Sequence, residues 1–506
     1  MRQLINTIPS KYTPLQQIVG LGILFRIIAA IFSKGFGWFD DHFLIVEAAQ
    51  SWVDGYDYND WLPSLDAPDR EPQGHPLFYV GIHYIFFKLF AAIGIVDPQI
   101  KMTLIRLLHA LFSVTIITYG YKIAEHFSNK KTATYAALFL SLFWFMPFLS
   151  VRNLAEFVCV PPLLIATWLL IKEKNIRNYF FAGIWIGVAF SMRFQSLFYA
   201  GGIAIALLLN KTNIKYLLSC FLGFAILIGI TQGLVDYIIW DKVFAEFLAY
   251  VKYNLENAEL YGHNIWHMYF DLILGILIPP LSFLLFAGWI INWKKLPILF
   301  WPIFIYLAFH TYFPNKQERF VLTVIPTIII IGTIGMFELY EKYKSKVKPG
   351  LFKFSKYFVI TLNTIFLIVF CFTYSKRNRC EAMSYLYKQP DLKMVMIDDS
   401  NKDNDFTMPP LYYLGKWHSV IGITKQNNAD TALHRYKRMP DNAKPNYIVF
   451  WQAENLEARV DSFKKYFPDV QYVTTIEPGL IDKTLKWLNP VNDNQTTYIY
   501  KFSEPK

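Results

Sequence analysis

Trp38-Phe39-Asp40-Asp41-His42-Phe43, running on to Glu47, sets two adjacent carboxylates directly behind the apolar segment Ile18 to Phe32, which reads as a membrane span. The span breaks at Lys34-Gly35-Phe36-Gly37, where two glycines end a helix and the aromatics suit a membrane interface. Asp40 and Asp41 are therefore expected at the rim of the hydrocarbon, in a protein-lined pocket. Two acids at that depth cost desolvation and mutual repulsion, and a chain keeps them there mainly for proton transfer or a cation. The plainer alternative is a solvated loop start that caps a helix ahead of Phe43-Leu44-Ile45-Val46.

Working outward, a 506-residue chain with 54% hydrophobic, 18% aromatic and only 17% charged residues reads as a polytopic membrane protein. The net charge of +11 is no sign of nucleic acid, because the lysines and arginines fall in short clusters between apolar stretches. The four cysteines, Cys159, Cys220, Cys371 and Cys380, show no paired spacing, so neither a disulfide framework nor a metal motif follows. The first span is expected to be an uncleaved anchor, since no small-residue cleavage site precedes it.

Hydropathy places spans near 18–33, 76–96, 103–124, 132–149, 155–171, 178–192, 195–209, 214–240, 268–292, 297–312, 319–340 and 355–375. Basic clusters lie at Asn129 to Lys131, Lys172 to Arg177, Lys211 to Lys215, Trp293 to Lys295 and Glu341 to Lys356. If 76–96 crossed the membrane, these clusters would sit opposite Arg2 and Lys11, against the positive-inside tendency. With 76–96 lying along the interface, as Pro76, His83 and Lys88 suit, every cluster becomes cytoplasmic and about eleven crossings remain. The expected fold is an α-helical polytopic membrane domain over 1–375, with an interfacial helix in its first external loop. The Asp40 loop, Ser150 to Asn153, Asp241 to Trp266, Pro314 to Phe320 and the C-terminal tail then share the outer face.

The loop from Lys34 to His75 carries Asp40, Asp41, Glu47, Asp54, Asp57, Asp60, Asp66, Asp69, Arg70 and Glu71 among Trp38, Trp52, Tyr56, Tyr58 and Trp61. Acids interleaved with rings suit a carbohydrate, whose hydroxyls donate to carboxylates and whose apolar faces cover aromatics. An ordinary acidic interfacial loop with belt aromatics has the same composition. A second stretch, Tyr261-Gly262-His263-Asn264-Ile265-Trp266-His267-Met268-Tyr269-Phe270, opens a span and also fits an aromatic belt. A third, Asn315-Lys316-Gln317-Glu318-Arg319-Phe320, puts two cations at an outer helix start, where an anionic partner, best a phosphate, accounts for them beyond what Glu318 can neutralise.

These stretches together resemble the polyprenyl-phosphate-mannose-dependent mannosyltransferases of glycosyltransferase family 22, which serve N-glycan precursor and glycosylphosphatidylinositol assembly. Asp40-Asp41-His42-Phe43 with Glu47 resembles their first-loop acidic pattern, and Arg70 with Pro76 the Arg and Pro later in that loop. Val151-Arg152-Asn153-Leu154 with Glu156 is similar to their Thr-Arg-Thr-Leu segment and its downstream acid. Tyr261-Gly262 and Trp266-His267-Met268-Tyr269 resemble their Tyr-Gly-Thr-x-Pro-Trp-His-Trp-Tyr motif. Asn315 to Phe320 resembles their His-Lys-Glu-x-Arg-Phe motif and likewise leads into a Val-Ile-Pro span. The likeness runs over residues 15 to 375; Asp41 stands where the family prefers Glu, Asn315 replaces His and Gln317 replaces Glu.

The resemblance implies a GT-C fold and inverting transfer of a sugar, taken as mannose, from a polyprenyl-phosphate carrier to a glycan or glycolipid hydroxyl on the extracytoplasmic face. It casts Asp40 as general base, with Asp41 beside it. Glu47, Arg70, Trp266, His267 and Tyr269 organise the loop or the acceptor. Lys316, Arg319 and Arg152 take the donor phosphate, with Arg193 able to share that work. No metal or other cofactor is expected, because a phosphate leaving group needs no protonating acid and a lipid-linked donor needs no nucleotide site. The bilayer is a partner throughout, of a bacterial inner-membrane or endoplasmic-reticulum type. A transporter or flippase of a lipid-linked saccharide is the rival reading, though it would carry charges deep in several spans; an inactive scaffold is a third.

The tail from Lys376 alternates β-like runs (394–397, 419–423, 447–450, 472–476) with helical runs (381–388, 456–467), and reads as a small extracytoplasmic α/β domain, 376–506. No catalytic constellation is evident there, and Asp398-Asp399 reads as a strand-end turn.

Overall fold

A computed structural model describes residues 12–64, 68–260, 265–401, 406–417, 420–441, 443–489 and 494–503. Asp66 and the Tyr261-Gly262-His263-Asn264 half of the second stretch lie outside the described residues. Among the described residues, five helices are long and apolar enough to cross a membrane: Pro14–Phe32, Pro98–Phe127, Ala155–Lys172, Ile214–Trp240 and Pro349–Cys371. Shorter apolar helices occupy Leu77–Ala92, Ser196–Leu209, Leu281–Ile291 and Pro297–Tyr312. Leu77–Ala92 has 16 residues, roughly 24 Å of helix, which is less than a hydrocarbon core of about 30 Å.

The chain divides into two compact units. One takes in the chain to Ile31, Trp61–Gly81 and Arg106–Cys371; it is helical. The helix Ile176–Met192 packs along Ile214–Ile228, Ser196–Leu209 along Pro297–Tyr312, and Leu281–Ile291 along Ile325–Tyr343. In the last pair a Cβ on Gly288 would meet Gly332 O at 2.3 Å, so the backbones touch through small residues, as expected where lipid gives no hydrophobic drive. Three of the basic clusters contain a helix N-cap: Asn129, Asn175 and Asn213 accept from Thr132 N, Asn178 N and Lys215 N at 3.0, 2.8 and 3.0 Å.

One residue in the first span departs from its apolar surroundings. Arg26 is fully buried, donating from Nε to Ser113 Oγ (2.9 Å) and through its terminal nitrogens to Gly22 O, Ser141 O and Leu140 O at 3.2–3.3 Å. It satisfies carbonyls at the end of the helix Lys130–Leu142, which have no partner within their own helix.

The other unit combines Phe32–Asp60, Ile82–Ile105 and Phe372–Lys506. Its five-stranded sheet has strands β1 Val395–Asp398, β2 Ile421–Ile423, β3 Tyr447–Trp451, β4 Gln471–Ile476 and β5 Thr497–Lys501, in the order β2-β1-β3-β5-β4. The β2, β1 and β3 strands run parallel (Met396 opposite Ile421 and Ile448), while β5 is antiparallel to both of its neighbours, β3 and β4. β1 and β3 are buried on both faces and read as unbroken apolar runs, whereas β4 is a half-exposed edge. The helices Ala429–Arg438 and Leu456–Lys464 cover one face through Tyr436, Val460 and Phe463. Asp398, at the end of β1, is paired with buried Arg459 at 2.7 Å, a structural tie.

The acid-bearing stretch is built into this unit. Ser375 N donates to Lys34 O (3.1 Å), Ser33 Oγ donates to Thr373 O (3.1 Å), and Lys376 Nζ donates to Gly37 O.

Candidate functional site

Asp40 and Asp41 do not sit in a loop. After Trp38 in extended conformation, Phe39–Asp41 forms a first helical turn, and the helix continues to Val53. Two acids in a first turn also favour its positive end. Asp40 is half-buried and Asp41 is buried, so of the two it is Asp40 that keeps a solvent-reachable carboxylate.

Over His42–Glu47 the helix widens to an i→i+5 turn, a distortion common at functional sites. The widened turn rotates residue i+5 back onto the face of residue i. Hence His42 Nε2 lies 3.2 Å from Glu47 Oε1, both side chains being buried. His42 is further stacked between Phe36 (4.3 Å) and Tyr413 (5.6 Å), and burial pushes its pKa below the ordinary value against the pull of Glu47. Glu47 Oε1 also accepts from Tyr412 N at 3.0 Å, and burial together with the charge of Glu47 raises the Tyr58 hydroxyl. Glu47 is thus an organiser of this segment. Sequence reading singled out Glu47 but could not find Tyr412, which sits 365 positions away with no local signal.

In the helical unit a second cluster forms around Glu156. This fully buried carboxylate lies at the start of a helix and meets two guanidiniums through Oε1: Arg193 Nη2 at 2.7 Å and Arg319 Nε at 3.3 Å. Both guanidiniums are oriented a second time, Arg193 Nε donating to Gln195 Oε1 (3.1 Å) and Arg319 Nε to Gln317 Oε1 (2.8 Å). Both also stand over the Phe320 ring, at 5.5 and 5.8 Å. Thr323 Oγ1 donates to Glu156 O at 2.8 Å, tying the turn Glu318–Thr323 to the acid. The result is two arginines from separate segments, aligned by one acid and by the glutamine two residues after or before each.

Lys316 is buried beside this turn, and Arg152 lies over Phe148 at 4.4 Å. Its neighbour Asn153 accepts from Tyr79 OH (3.0 Å), which also pairs with His109 Nε2 at 2.7 Å. Arg70 donates to Leu62 O (2.8 Å) and so braces its own loop. Of the aromatic stretch, Tyr269 is fully buried, Trp266 is 68% exposed, and His267 pairs with Asp271 at 2.5 Å.

Sequence reading passed over Glu246. Its Oε2 accepts from Gly74 N (2.7 Å) and His75 N (3.0 Å), and its own N donates to Asp236 Oδ2 (3.0 Å). Burial, opposed by those two amides, lifts its pKa to about 7. Gly74 has φ +80°, and a Cβ there would come within 2.9 Å of the Tyr250 backbone, so only glycine fits. The helix Ala245–Glu256 that carries Glu246 also packs Phe247 and Tyr250 edge-to-face on Phe194, each at 5.3 Å, next to Arg193. One short helix thereby joins the loop at Gly74 to the two-arginine cluster.

Residues 17–420 match the Alg9-like mannosyltransferase family. The chain is 24% identical over 397 residues to the mannosyltransferase APTG1 of Arabidopsis thaliana, covering 72% of this chain and 69% of that protein. It is 23% identical over 209 residues to GPI mannosyltransferase 3 of Saccharomyces cerevisiae, covering 37% of this chain and 33% of that protein, so this alignment spans about a third of the yeast enzyme. Among solved structures, ArnT from Cupriavidus metallidurans bound to undecaprenyl phosphate superposes with a TM-score of 0.58 at 11% identity, covering 96% of this chain and 97% of that one. At that identity the likeness concerns the fold, which is GT-C.

Proposed function

Since the chain belongs to the Alg9-like mannosyltransferase family, and is thus a membrane-embedded glycosyltransferase, we propose that it moves mannose from a polyprenyl-phosphate carrier to a hydroxyl of a glycolipid acceptor, with inversion, on the extracytoplasmic face. The observation that carries this reading is the pair Arg193 and Arg319 aligned on Glu156, all three within the family-matched residues 17–420. A planar guanidinium engages two phosphate oxygens, and two of them suit a phosphate that gains charge as it leaves. The fold neighbour was crystallised with a polyprenyl phosphate, and the curated relatives bear the names of GPI mannosyltransferases, which supports a carrier-linked donor and a glycolipid acceptor.

In the proposed step the acceptor oxygen attacks the anomeric carbon, and the bond from that carbon to the phosphate oxygen breaks. The electron pair leaves with polyprenyl phosphate, and the hydroxyl proton passes to the Asp40 carboxylate. Arg319, Arg193 and Lys316 stabilise the departing phosphate, with Arg152 in reserve. Asp41 and Glu47 hold the base-bearing turn, and Arg70 holds the loop that follows. Trp266, His267 and Tyr269 organise the acceptor side or its loop. Because the contact to phosphate strengthens as charge develops, it acts on the transition state and not on donor binding alone.

Membranes carrying the protein, given polyprenyl-phosphate-[³H]mannose, should transfer label into a more polar lipid, and GDP-mannose should not replace that donor. Label transfer from GDP-mannose in membranes lacking any polyprenyl-phosphate-mannose synthase would refute the lipid-linked donor.

A further inference from the structure

The helix Leu480–Leu488 is amphipathic in the inverse sense for the surface of a soluble domain. Its buried residue is Asp482, 5% exposed, whose Oδ2 accepts from Lys376 N at 3.0 Å. The opposite arc, at i, i+4, i+7 and i+8, consists of Leu480, Thr484, Trp487 and Leu488, and its apolar members are 75%, 82% and 65% exposed. A water-facing helix of ordinary design would turn these outward positions polar and bury the apolar ones.

Chain continuity says what lies against that face. The helix is anchored where the last span ends: a Cβ on Gly479 would fall 2.7 Å from Tyr374 O, and Asp482 grips Lys376. Tyr374 is three residues past Cys371, the end of the span Pro349–Cys371, so it lies at most about 10 Å along the chain from it. The headgroup zone is roughly 5–7 Å deep on each side of the hydrocarbon. Phe372, 54% exposed and 5.1 Å from the Phe32 ring, adds an exposed apolar side chain directly after the span. Lys483, four residues before Trp487, edges the apolar arc, as favours a phospholipid surface, and lies 3.0 Å from Glu477.

We propose that Leu480–Leu488 is a membrane-surface helix, seating Leu480, Trp487 and Leu488 among the phospholipid headgroups and acyl ends. This surface serves to fix the C-terminal sheet at the membrane, and it stands independently of the reaction assigned above.

The test uses the full chain in phosphatidylcholine/phosphatidylglycerol nanodiscs, spin-labelled singly at Leu480→Cys, Trp487→Cys and, as a water-facing control, Glu457→Cys; the native cysteines are buried. The ratio of oxygen to nickel-complex accessibility should be several-fold higher at 480 and 487 than at 457. Equal ratios at the three sites overturn the proposal. Exclusion of both reagents at 480 and 487 also overturns it, because a protein partner or a second copy would then cover the face. The 480 label decides alone if Trp487→Cys does not fold.

Discussion

Glu156 shows how a single residue sets the chemistry of its neighbours. A buried carboxylate facing two guanidiniums neutralises their mutual repulsion and fixes the angle at which they would meet the proposed donor phosphate. Glu156→Gln keeps the shape and removes the charge, which costs stability on the order of 3 kcal/mol and lets both guanidiniums drift. A displacement of about 1 Å can cost up to 10²-fold in rate. The expected outcome is a fall in kcat together with a rise in apparent donor KM, partly restored by Glu156→Asp. Kinetic constants per folded molecule that stay unchanged in Glu156→Gln would make the residue purely structural. Glu156 was within reach of sequence reading as the acid after Arg152-Asn153-Leu154, but its partners were not. Arg193 and Arg319 lie in separate segments and no periodicity links them to it. Arg26 was hidden for the opposite reason: one cation in an otherwise apolar span does not alter the reading of the span, and its partners are backbone carbonyls.

Among the elements, the helix Ala245–Glu256 should respond to pH through Glu246. Glu246 has a folded-state pKa of about 7 against an ordinary 4.5, so the folded protein holds more protons than the unfolded one between those values. Its contribution to stability is therefore greatest below pH 4.5, declines as the pH rises towards 7 and is flat above that. The range is at most about 3 kcal/mol. Thermal melts of wild type and Glu246→Gln in detergent should differ by an amount that changes between pH 5 and pH 8 in that direction; a pH-independent difference would contradict it. This helix was read only as part of a long outer loop, and the stretch 39–53 likewise, since helices of such length carry little periodic signal. The longer apolar helices and the strands β1 and β3 were legible because continuous apolar runs bounded by polar caps leave few alternatives. β5 was not, since Thr497–Lys501 alternates and gains its identity only from pairing with β3 and β4.

At the scale of the whole molecule, the segment carrying Asp40 folds with the C-terminal residues, 372–506, and not merely as a loop of the helical domain. Neighbouring positions in the chain are a poor guide to such a grouping, because it depends on pairings like Tyr412 with Glu47 across most of the sequence. The positive-inside argument places Lys174 and Lys348 on the cytoplasmic side and Asp430 on the other. Cysteines at the first two should be shielded from an impermeant thiol reagent added outside intact cells, and one at Asp430 labelled; the reverse pattern would invert the proposed sidedness. Whether this chain transfers sugar with Asp40 as the base is decided by one measurement. Purified wild type and Asp40→Asn, given polyprenyl-phosphate-[³H]mannose and an acceptor lipid extract, are compared for the rate of coupled label transfer and polyprenyl phosphate release. Asp40→Asn should lose on the order of 10²-fold or more in rate with donor binding and folding retained; an Asp40→Asn enzyme that transfers mannose at the wild-type rate would rule Asp40 out as the base.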